Sequence, residues 1–386
     1  MSTSPRAVAS EPPTPPRIRV YGSQVSYFTG KLEAYLRYKE IPYTFVAEGR
    51  FGRLAKLSGA AQMPAVELPD GRFMTDTTPM IGWLEGQHTE RPVIPEDPLQ
   101  AFVGLLIEDY ADEWLWRPAM HFRWSYAADK YLLSRKLVDE VTREIPLPRA
   151  LKRFLIRQRQ LRIFVSGDGV DAATRSHVEA SYLAALDLLS GILARRPFVF
   201  GERPSIADIG LMGPMLRHFS HDPTPAALMQ QRAPAVWAWV ARVWDARASR
   251  DAGPLLTGVP SDLDPLLSEI GETHLASLAA NADAWQRGAT RFDVEIQGTR
   301  YRGLPTSRYR VWCLEVLRAR LDALPAEAAA EARTRLDACG CFGRLREPGD
   351  LDSGYDPDGR APFATGLEVL TAGRGRNRPS KVGASS

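Results

Sequence analysis

Hydroxyl-bearing side chains cluster in one short loop near the start of the chain. Ser23, Ser26 and Tyr27 follow a predicted strand that ends at Gly22 and precede a predicted helix that begins at Thr29. The first turn of a helix has free N–H groups and the positive end of the dipole, so an anion is stabilised there. A hydroxyl at that place can add a hydrogen bond to the anion. Ser26 is the first candidate for this role, and Tyr27 and Ser23 are alternatives. The alternative to any ligand-binding role is that the Ser26 hydroxyl only caps the helix.

Two further stretches could bind a polar ligand. Gln62, Met63 and Pro64 stand just before a predicted strand, where the proline either is cis or simply opens the strand in the trans form. Asp76 and Thr77 stand ahead of a predicted helix. Free N–H groups at such a helix start bind a carboxylate, a threonine adds a hydroxyl, and an aspartate pairs with an ammonium group. The same two residues are also common helix caps.

The three stretches occur in an order and spacing that resemble the glutathione S-transferase superfamily. The stretch Ser26-Tyr-Phe-Thr-Gly-Lys31 is similar to the Ser/Cys-Pro-Phe-x-x-Arg/Lys loop of that family, with Tyr27 in place of the proline. This resemblance implies that Ser26 is the catalytic position that activates the thiol of glutathione. It further implies that the Met63–Pro64 bond is cis.

The resemblance also assigns the rest of the glutathione site. The cysteinyl part would be bound by Gln62, Met63 and Pro64, and the γ-glutamyl end by Asp76 and Thr77, where the family has Glu/Asp-Ser. A Ser-x-x-Asp capping motif, Ser205 to Asp208, is similar to one in the family's helical domain. Bacterial members with a long C-terminal extension share the Asp112-Glu-Trp and His121-x-Arg-Trp stretches.

The predicted fold class is α/β followed by all-α. Strand and helix patterns from Arg17 onward give the order βαβαββα of a thioredoxin-like domain. An all-helical domain follows, beginning with one long helix from Leu99 to about Tyr126, and then a mixed, mostly helical extension. The expected boundaries are a disordered leader at 1–16, the thioredoxin-like domain at 17–89, the helical domain at 99–255, the extension at 262–345 and a disordered tail at 346–386.

Composition limits the range of partners. The chain has 49 Lys and Arg against 46 Asp and Glu, which is too balanced to indicate a nucleic-acid or membrane partner by its field alone. Its three cysteines indicate reduced thiols rather than a disulfide framework. No signal-peptide pattern or apolar run long enough for a membrane span is visible, so we expect a cytoplasmic protein. The family resemblance adds the expectation of a homodimer.

Other chemistry is less well supported. The acidic residues Glu108, Asp109, Asp112 and Glu113 are expected to pair with basic residues of their own predicted helix rather than to hold a metal. The basic stretch 149–164 is interpreted as a solvated helix face, with an acidic surface or RNA as the alternative.

The functional hypothesis is a transferase that adds the glutathione thiolate to an electrophilic, mostly apolar small molecule, with no metal. The substrate is expected between the two domains, against Trp114, Met120, Trp124 and Tyr126. A non-catalytic glutathione-fold binding or scaffold protein is the alternative from a different class. A glutathione-dependent dehalogenase, isomerase or ether-cleaving enzyme remains open within the first hypothesis.

Overall fold

The computed structural model describes residues 17–47, 54, 62–142 and 145–363. Its first unit is a four-stranded sheet with helices, in the order β1 (Ile18–Gly22), α1 (Tyr27–Tyr38), β2 (Tyr43–Ala47), β3 (Ala65–Glu67), β4 (Phe73–Thr75) and α2 (Thr77–Gln87). The sheet order is β2-β1-β3-β4, with β1 and β2 parallel and the other two pairs antiparallel. Val20 at the centre of β1 lies beside Phe45 on one side and Val66 on the other, and its side chain is fully buried. The thioredoxin-like fold class is confirmed; the helix predicted between β2 and β3 falls on residues 48–61, of which only Leu54 is described.

The second unit is a helical bundle. Its helices are α3 (Pro98–Glu113), α4 (Trp116–Ser125), α5 (Ala127–Val141), α6 (Arg149–Gln160), α7 (Arg175–Leu193), α8 (Ile206–Pro214), α9 (Pro223–Arg232) and α10 (Pro234–Asp245). Single π-helical turns extend α6 to Val165 and α8 to Phe219. At the start of α8, Ser205 and Asp208 form the predicted capping box. The sequence did not predict α9.

The single long helix predicted from Leu99 to Tyr126 is wrong, because the chain bends between α3 and α4. Pro118 has no N–H group to donate to the carbonyl of Trp114, the bond that a continuous helix would make there. Instead the N–H of Arg117 donates to the Trp114 carbonyl over 3.2 Å, and the N–H of Leu115 donates to Tyr110 over 3.2 Å.

The third unit contains a helix pair, a β-hairpin and three more helices. They are α11 (Asp264–Ile270), α12 (Ala276–Gln286), β5 (Arg291–Ile296), β6 (Thr299–Pro305), α13 (Arg308–Asp322), α14 (Ala326–Ala338) and α15 (Cys341–Arg346). Gln297 and Gly298 both have positive φ, as the two central residues of a type I′ hairpin turn require. The three cysteines are free and buried.

The prediction of disorder from residue 346 is wrong for residues 347–363. Residues 348–353 are hydrogen-bonded to the third unit, and Pro362 and Phe363 contact the first unit. The N–H of Thr75, at the end of β4, donates to the carbonyl of Pro362 over 3.0 Å. Phe363 lies edge-on to Trp83 with ring centres 5.3 Å apart, and the Arg72 guanidinium stacks 4.5 Å from the Phe363 ring centre. Aromatic and cation–π contacts of this kind are enough to order a short segment rich in Gly and Asp.

Candidate functional site

Ser26 is the N-cap of α1. Its Oγ accepts a hydrogen bond from the N–H of Thr29 over 3.4 Å, and the side chain is partly exposed. Because the oxygen is the acceptor in this bond, the hydroxyl proton remains available for donation to a ligand. The structure therefore places Ser26 as both a helix cap and an accessible donor at the positive end of α1.

The two alternative hydroxyls have partners inside the protein. Ser23 is buried, and its Oγ donates to the carboxylate of Glu140 on α5. The Tyr27 hydroxyl donates to the carbonyl of Ala111, and burial raises the pKa of that phenol well above its usual value. The Tyr27 ring lies directly over Gly213, where a Cβ atom would come within 2.6 Å of it. Tyr27 thus fills a packing position between the first two units.

Basic residues of the helical bundle hold the loop in place. Arg123, buried on α4, donates to the carbonyl of Val25 over 2.7 Å while it forms an ion pair with Asp222 at 2.6 Å. Arg217 donates to the carbonyl of Gln24 and pairs with Glu33 on α1 at 2.6 Å. Arg123 belongs to the His121-x-Arg-Trp stretch noted in the sequence, and its contact with the loop gives that stretch a structural role.

The Met63–Pro64 bond is cis, as predicted. Gln62 and Met63 are partly exposed beside it, and Pro64 is buried. The Nε2 atom of Gln62 is buried and has no hydrogen-bond partner among the described residues. A buried donor of this kind is one that a polar ligand can satisfy.

Asp76 and Thr77 lie at the start of α2. Asp76 has a φ of 70°, an uncommon conformation for a residue other than glycine, and no side chain caps the helix there. The first-turn N–H groups of α2 are therefore open to a carboxylate. The Oδ2 atom of Asp76 is buried without a hydrogen-bond partner within the described chain, and burial raises the pKa of Asp76 to about 7. Such an acceptor would be satisfied by an ammonium group.

Residues of the third unit surround Asp76, and the sequence did not predict this. The Tyr309 hydroxyl opposes the effect of burial and lowers the pKa of Asp76, as does the positive charge of Lys31. Burial raises the pKa values of Cys313 and Tyr355, and the charge of Asp76 adds to the rise in both, after those of Asp109 and Glu113 at Cys313. The rings of Tyr309 and Tyr355 are in contact, with centres 5.3 Å apart. The long sequence separation of these residues from Asp76 gives no local signal of their proximity.

A buried ionic cluster lies next to this site. Lys31 is fully buried, and its Nζ contacts the carboxylates of Glu108 and Asp112 and the hydroxyl of Thr78. Burial lowers the pKa of Lys31, but the two carboxylates outweigh it and raise that pKa. Burial raises the pKa of Asp112 well above its usual value. The charge of Lys31 lowers that pKa, but the neighbouring carboxylate of Glu108 raises it again.

The partly exposed aromatic surface beside the loop differs from the one predicted. Trp114, Met120 and Trp124 are buried, and Tyr126 is stacked on Phe122 while it donates to Glu179. Instead, Phe28 is stacked on Trp116 with ring centres 5.7 Å apart, and Phe164 lies edge-on to Trp116 at 5.4 Å. All three rings are half-buried, and Phe28 and Trp116 also contact the ring of Tyr27, the residue after Ser26.

The acidic cluster of α3 pairs with other segments, not with its own helix. In addition to the Lys31 contacts, Asp109 lies 2.6 Å from His274, and Glu113 forms an ion pair with Arg310 at 2.9 Å. The expectation of partners within one helix is therefore wrong. Among the described residues, no group of three or more acidic, His or Cys side chains could hold a metal ion.

Comparison with known families gives two matches along the chain. Residues 20–92 match the family model for the glutathione S-transferase N-terminal domain, and residues 157–242 match a model for the glutathione S-transferase C-terminal domain. No curated protein matches the sequence. Since both domain models match in the order found in the family, the chain belongs to the glutathione S-transferase superfamily.

Solved structures similar to the chain include members of this superfamily. A glutathione S-transferase from Rhodospirillum rubrum F11 is 20% identical, with 63% of this chain and 94% of that chain covered and a TM-score of 0.39. A beta-etherase from Sphingobium sp. strain SYK-6 is 18% identical, with 58% and 94% covered and a TM-score of 0.40. A glutathione S-transferase from Methylobacterium radiotolerans JCM 2831, in complex with glutathione sulfonate, is 17% identical, with 64% and 98% covered and a TM-score of 0.37.

Proposed function

We propose that this protein is a glutathione transferase that joins the thiol of glutathione to an electrophilic, apolar small molecule. Family membership supports the use of glutathione. The observation that carries the assignment of the thiol-activating group is the state of the three hydroxyls in the loop. Ser26 has a proton to donate at the start of α1, whereas Ser23 and Tyr27 donate to Glu140 and to the Ala111 carbonyl.

The proposed chemistry requires little of the protein. The thiol of glutathione loses its proton to solvent, and the Ser26 hydroxyl donates a hydrogen bond to the resulting thiolate. The thiolate sulfur then forms a bond to an electrophilic carbon, and the leaving group departs with the electron pair of the bond that breaks. A thiol pKa lowered by one unit needs about 1.4 kcal/mol of preferential stabilisation of the anion, which one charge-assisted hydrogen bond supplies.

The unsatisfied polar atoms suit two parts of a glutathione molecule, the γ-glutamyl end and the central cysteine. The γ-glutamyl ammonium would pair with Asp76 Oδ2 and the γ-glutamyl carboxylate with the N–H groups that open α2. The backbone beside the cis Met63–Pro64 bond and the Nε2 atom of Gln62 would bind the cysteinyl part. The electrophile would then lie against the ring surface of Phe28, Trp116 and Phe164, close to Ser26.

The direct test is binding and turnover by the full-length protein. Calorimetry and thermal unfolding with glutathione should show saturable binding, and at 100 times the dissociation constant the stability should rise by about 2.7 kcal/mol. S-methylglutathione, which has no ionisable thiol, is the matched ligand control: it should bind without producing thiolate absorbance. Turnover is measured with a chlorodinitrobenzene as test electrophile. If no binding occurs at millimolar glutathione, the proposal is wrong; binding and thiolate formation without turnover of a panel of electrophiles would instead support the non-catalytic binding protein.

A further inference from the structure

Exposed apolar side chains are concentrated in one part of the molecule. Among the residues that the structure describes, eight large apolar side chains are strongly exposed, and six of them lie on α5, on α6 or between them: Tyr131, Ile145, Leu147, Leu151, Phe154 and Leu155. On α6, Leu151, Phe154 and Leu155 have the spacing of one helix face, and each is at least 42% exposed. A contiguous exposed apolar surface on a protein marks a contact with a partner or a membrane. We name the set of six the apolar patch.

The same segment is strongly basic. Between Arg149 and Gly167 the chain has six basic residues and no acidic one. Arg149, Arg159 and Arg162 are exposed, and the Arg157 guanidinium stacks 4.8 Å from the ring centre of Tyr131 in the patch. The sequence interpretation of a solvated helix face is therefore incomplete, because Leu151, Phe154 and Leu155 are exposed together with these arginines.

The inward side of α6 is already occupied. Lys152 is buried and donates to the carbonyl of Thr142 over 2.8 Å. Phe164, on the turn that continues α6, packs against Trp116. With this side fixed to the bundle, the apolar patch is held in its outward position without a partner in the described chain.

We propose that the α5–α6 hairpin docks on an anionic phospholipid surface, with the apolar patch at the headgroup boundary and the arginines among the headgroups. An amphipathic helix with leucine and phenylalanine on one face and Lys or Arg beside them has the composition of an interfacial helix. The described part of the chain has no helix long and apolar enough to cross a membrane, so the contact would be peripheral.

Charge argues against a second copy of this chain as the occupant. In a two-fold dimer each patch faces its own copy, so the arginine-rich segments would lie against each other with no acidic residue of 149–167 to compensate them. A nucleic acid would compensate the charge, but its phosphates would give Leu151, Phe154 and Leu155 no apolar surface against which to be buried. A lipid surface with negative headgroups satisfies both properties.

The test uses the full-length protein and vesicle flotation. Vesicles of phosphatidylcholine with about one third phosphatidylglycerol should bind the protein, and vesicles of phosphatidylcholine alone should bind it at least about fivefold more weakly. The triple variant Leu151→Gln/Phe154→Gln/Leu155→Gln should lose about tenfold or more of the affinity for the anionic vesicles. Arg159→Gln/Arg162→Gln should weaken binding and reduce its dependence on salt. Trp237→Gln/Leu256→Gln, which changes the two exposed apolar residues outside the patch, is the control and should bind as the wild type does.

Three outcomes would overturn the proposal. The first is no binding of the wild type to anionic vesicles at millimolar lipid. The second is wild-type binding by the triple variant, which would mean that the charge alone attracts the protein. The third is that the wild type does not bind vesicles but sediments with a larger mass than the triple variant does. That result would make the patch a contact between copies of the chain. Circular dichroism checks that each variant is folded, and since all the substituted residues are exposed, little loss of stability is expected.

Discussion

Lys31 and Asp112 join the first two units of the molecule through a buried ion pair, with Lys31 Nζ 2.5 Å from Asp112 Oδ2. Lys31 lies on α1, directly after the Ser26 loop, and Asp112 lies near the end of α3. The pair therefore fixes the helix that carries the candidate thiol-activating group against the helical bundle. Glu108 contacts the same Nζ, so removal of the lysine would leave two buried carboxylates facing each other.

We predict that Lys31→Met lowers the free energy of unfolding by about 3–5 kcal/mol at neutral pH, because an uncompensated charge is left buried. Urea unfolding followed by circular dichroism measures the change. The loss should be smaller at acidic pH, where the carboxylates are protonated, and the double variant Lys31→Met/Asp112→Asn should recover part of it. Arg232→Met, which breaks an exposed pair with Asp187, is the control and should have little effect. Equal losses for Lys31→Met and Arg232→Met would contradict the prediction.

The raised pKa of Asp76 predicts a pH dependence of glutathione binding. With a pKa of about 7, the carboxyl of the free protein is protonated at acidic pH and cannot pair with an ammonium group. The affinity should therefore increase about tenfold between pH 6 and pH 8, as calorimetry can measure. Asp76→Asn should bind more weakly and without this pH dependence. An unchanged pH profile in Asp76→Asn would show that another group is responsible.

The stability of the ligand-free protein should also depend on Asp76, but it should decrease with rising pH, whereas the affinity for glutathione increases. A carboxyl with a raised pKa stabilises the folded state fully below its ordinary pKa of about 4, and this contribution is lost as the pH rises through about 7. Asp76→Asn should remove that loss, which falls between about pH 4 and pH 7, in thermal unfolding measurements. A wild type and variant with parallel pH profiles would be inconsistent with a raised pKa at Asp76.

Tyr309 should adjust the midpoint of the binding profile from the third unit. Its hydroxyl favours the ionised form of Asp76, so Tyr309→Phe should raise the pKa of Asp76 and move the midpoint of glutathione binding to higher pH. Tyr355→Phe is the matched control, since the Tyr355 hydroxyl is buried without a partner among the residues described and its removal costs no hydrogen bond. Equal shifts in both variants would mean that loss of packing, rather than the Tyr309 hydroxyl, changes Asp76.

Local features of the sequence were sufficient for the parts of the site that depend on short-range chemistry. The capping box of Ser205 and Asp208 and the strand–helix order of the first unit follow from motifs within a few residues. The cis Met63–Pro64 bond was predicted from the family resemblance, since the local sequence left the cis and trans forms open. Even the bend between α3 and α4 has a local signal in Pro118, which the apolar helical pattern around it obscured.

The parts that the sequence did not predict depend on contacts between distant segments. Spacing along α3 suggested partners within that helix, whereas Glu113 pairs with Arg310, on a helix of the third unit. The approach of Tyr309 to Asp76 is of the same kind. Opposite charges attract at any sequence separation, so a list of charged residues does not determine which of them meet; the packing of the units does.

The assignment of the thiol-activating group to Ser26 is tested by three single variants. Because its hydroxyl would donate to the thiolate, Ser26→Ala should raise the pKa of the bound thiol by about one unit and lower turnover near neutral pH about tenfold. Glutathione affinity should change little, since the γ-glutamyl end is bound elsewhere. Ultraviolet titration of the bound thiolate gives the pKa. Ser23→Ala and Tyr27→Phe are the controls and should leave it unchanged, because Glu140 and the Ala111 carbonyl accept those protons. If Tyr27→Phe raises the thiol pKa and Ser26→Ala does not, the phenol is the donor; if none of the three changes it, the N–H groups and dipole of α1 stabilise the thiolate on their own.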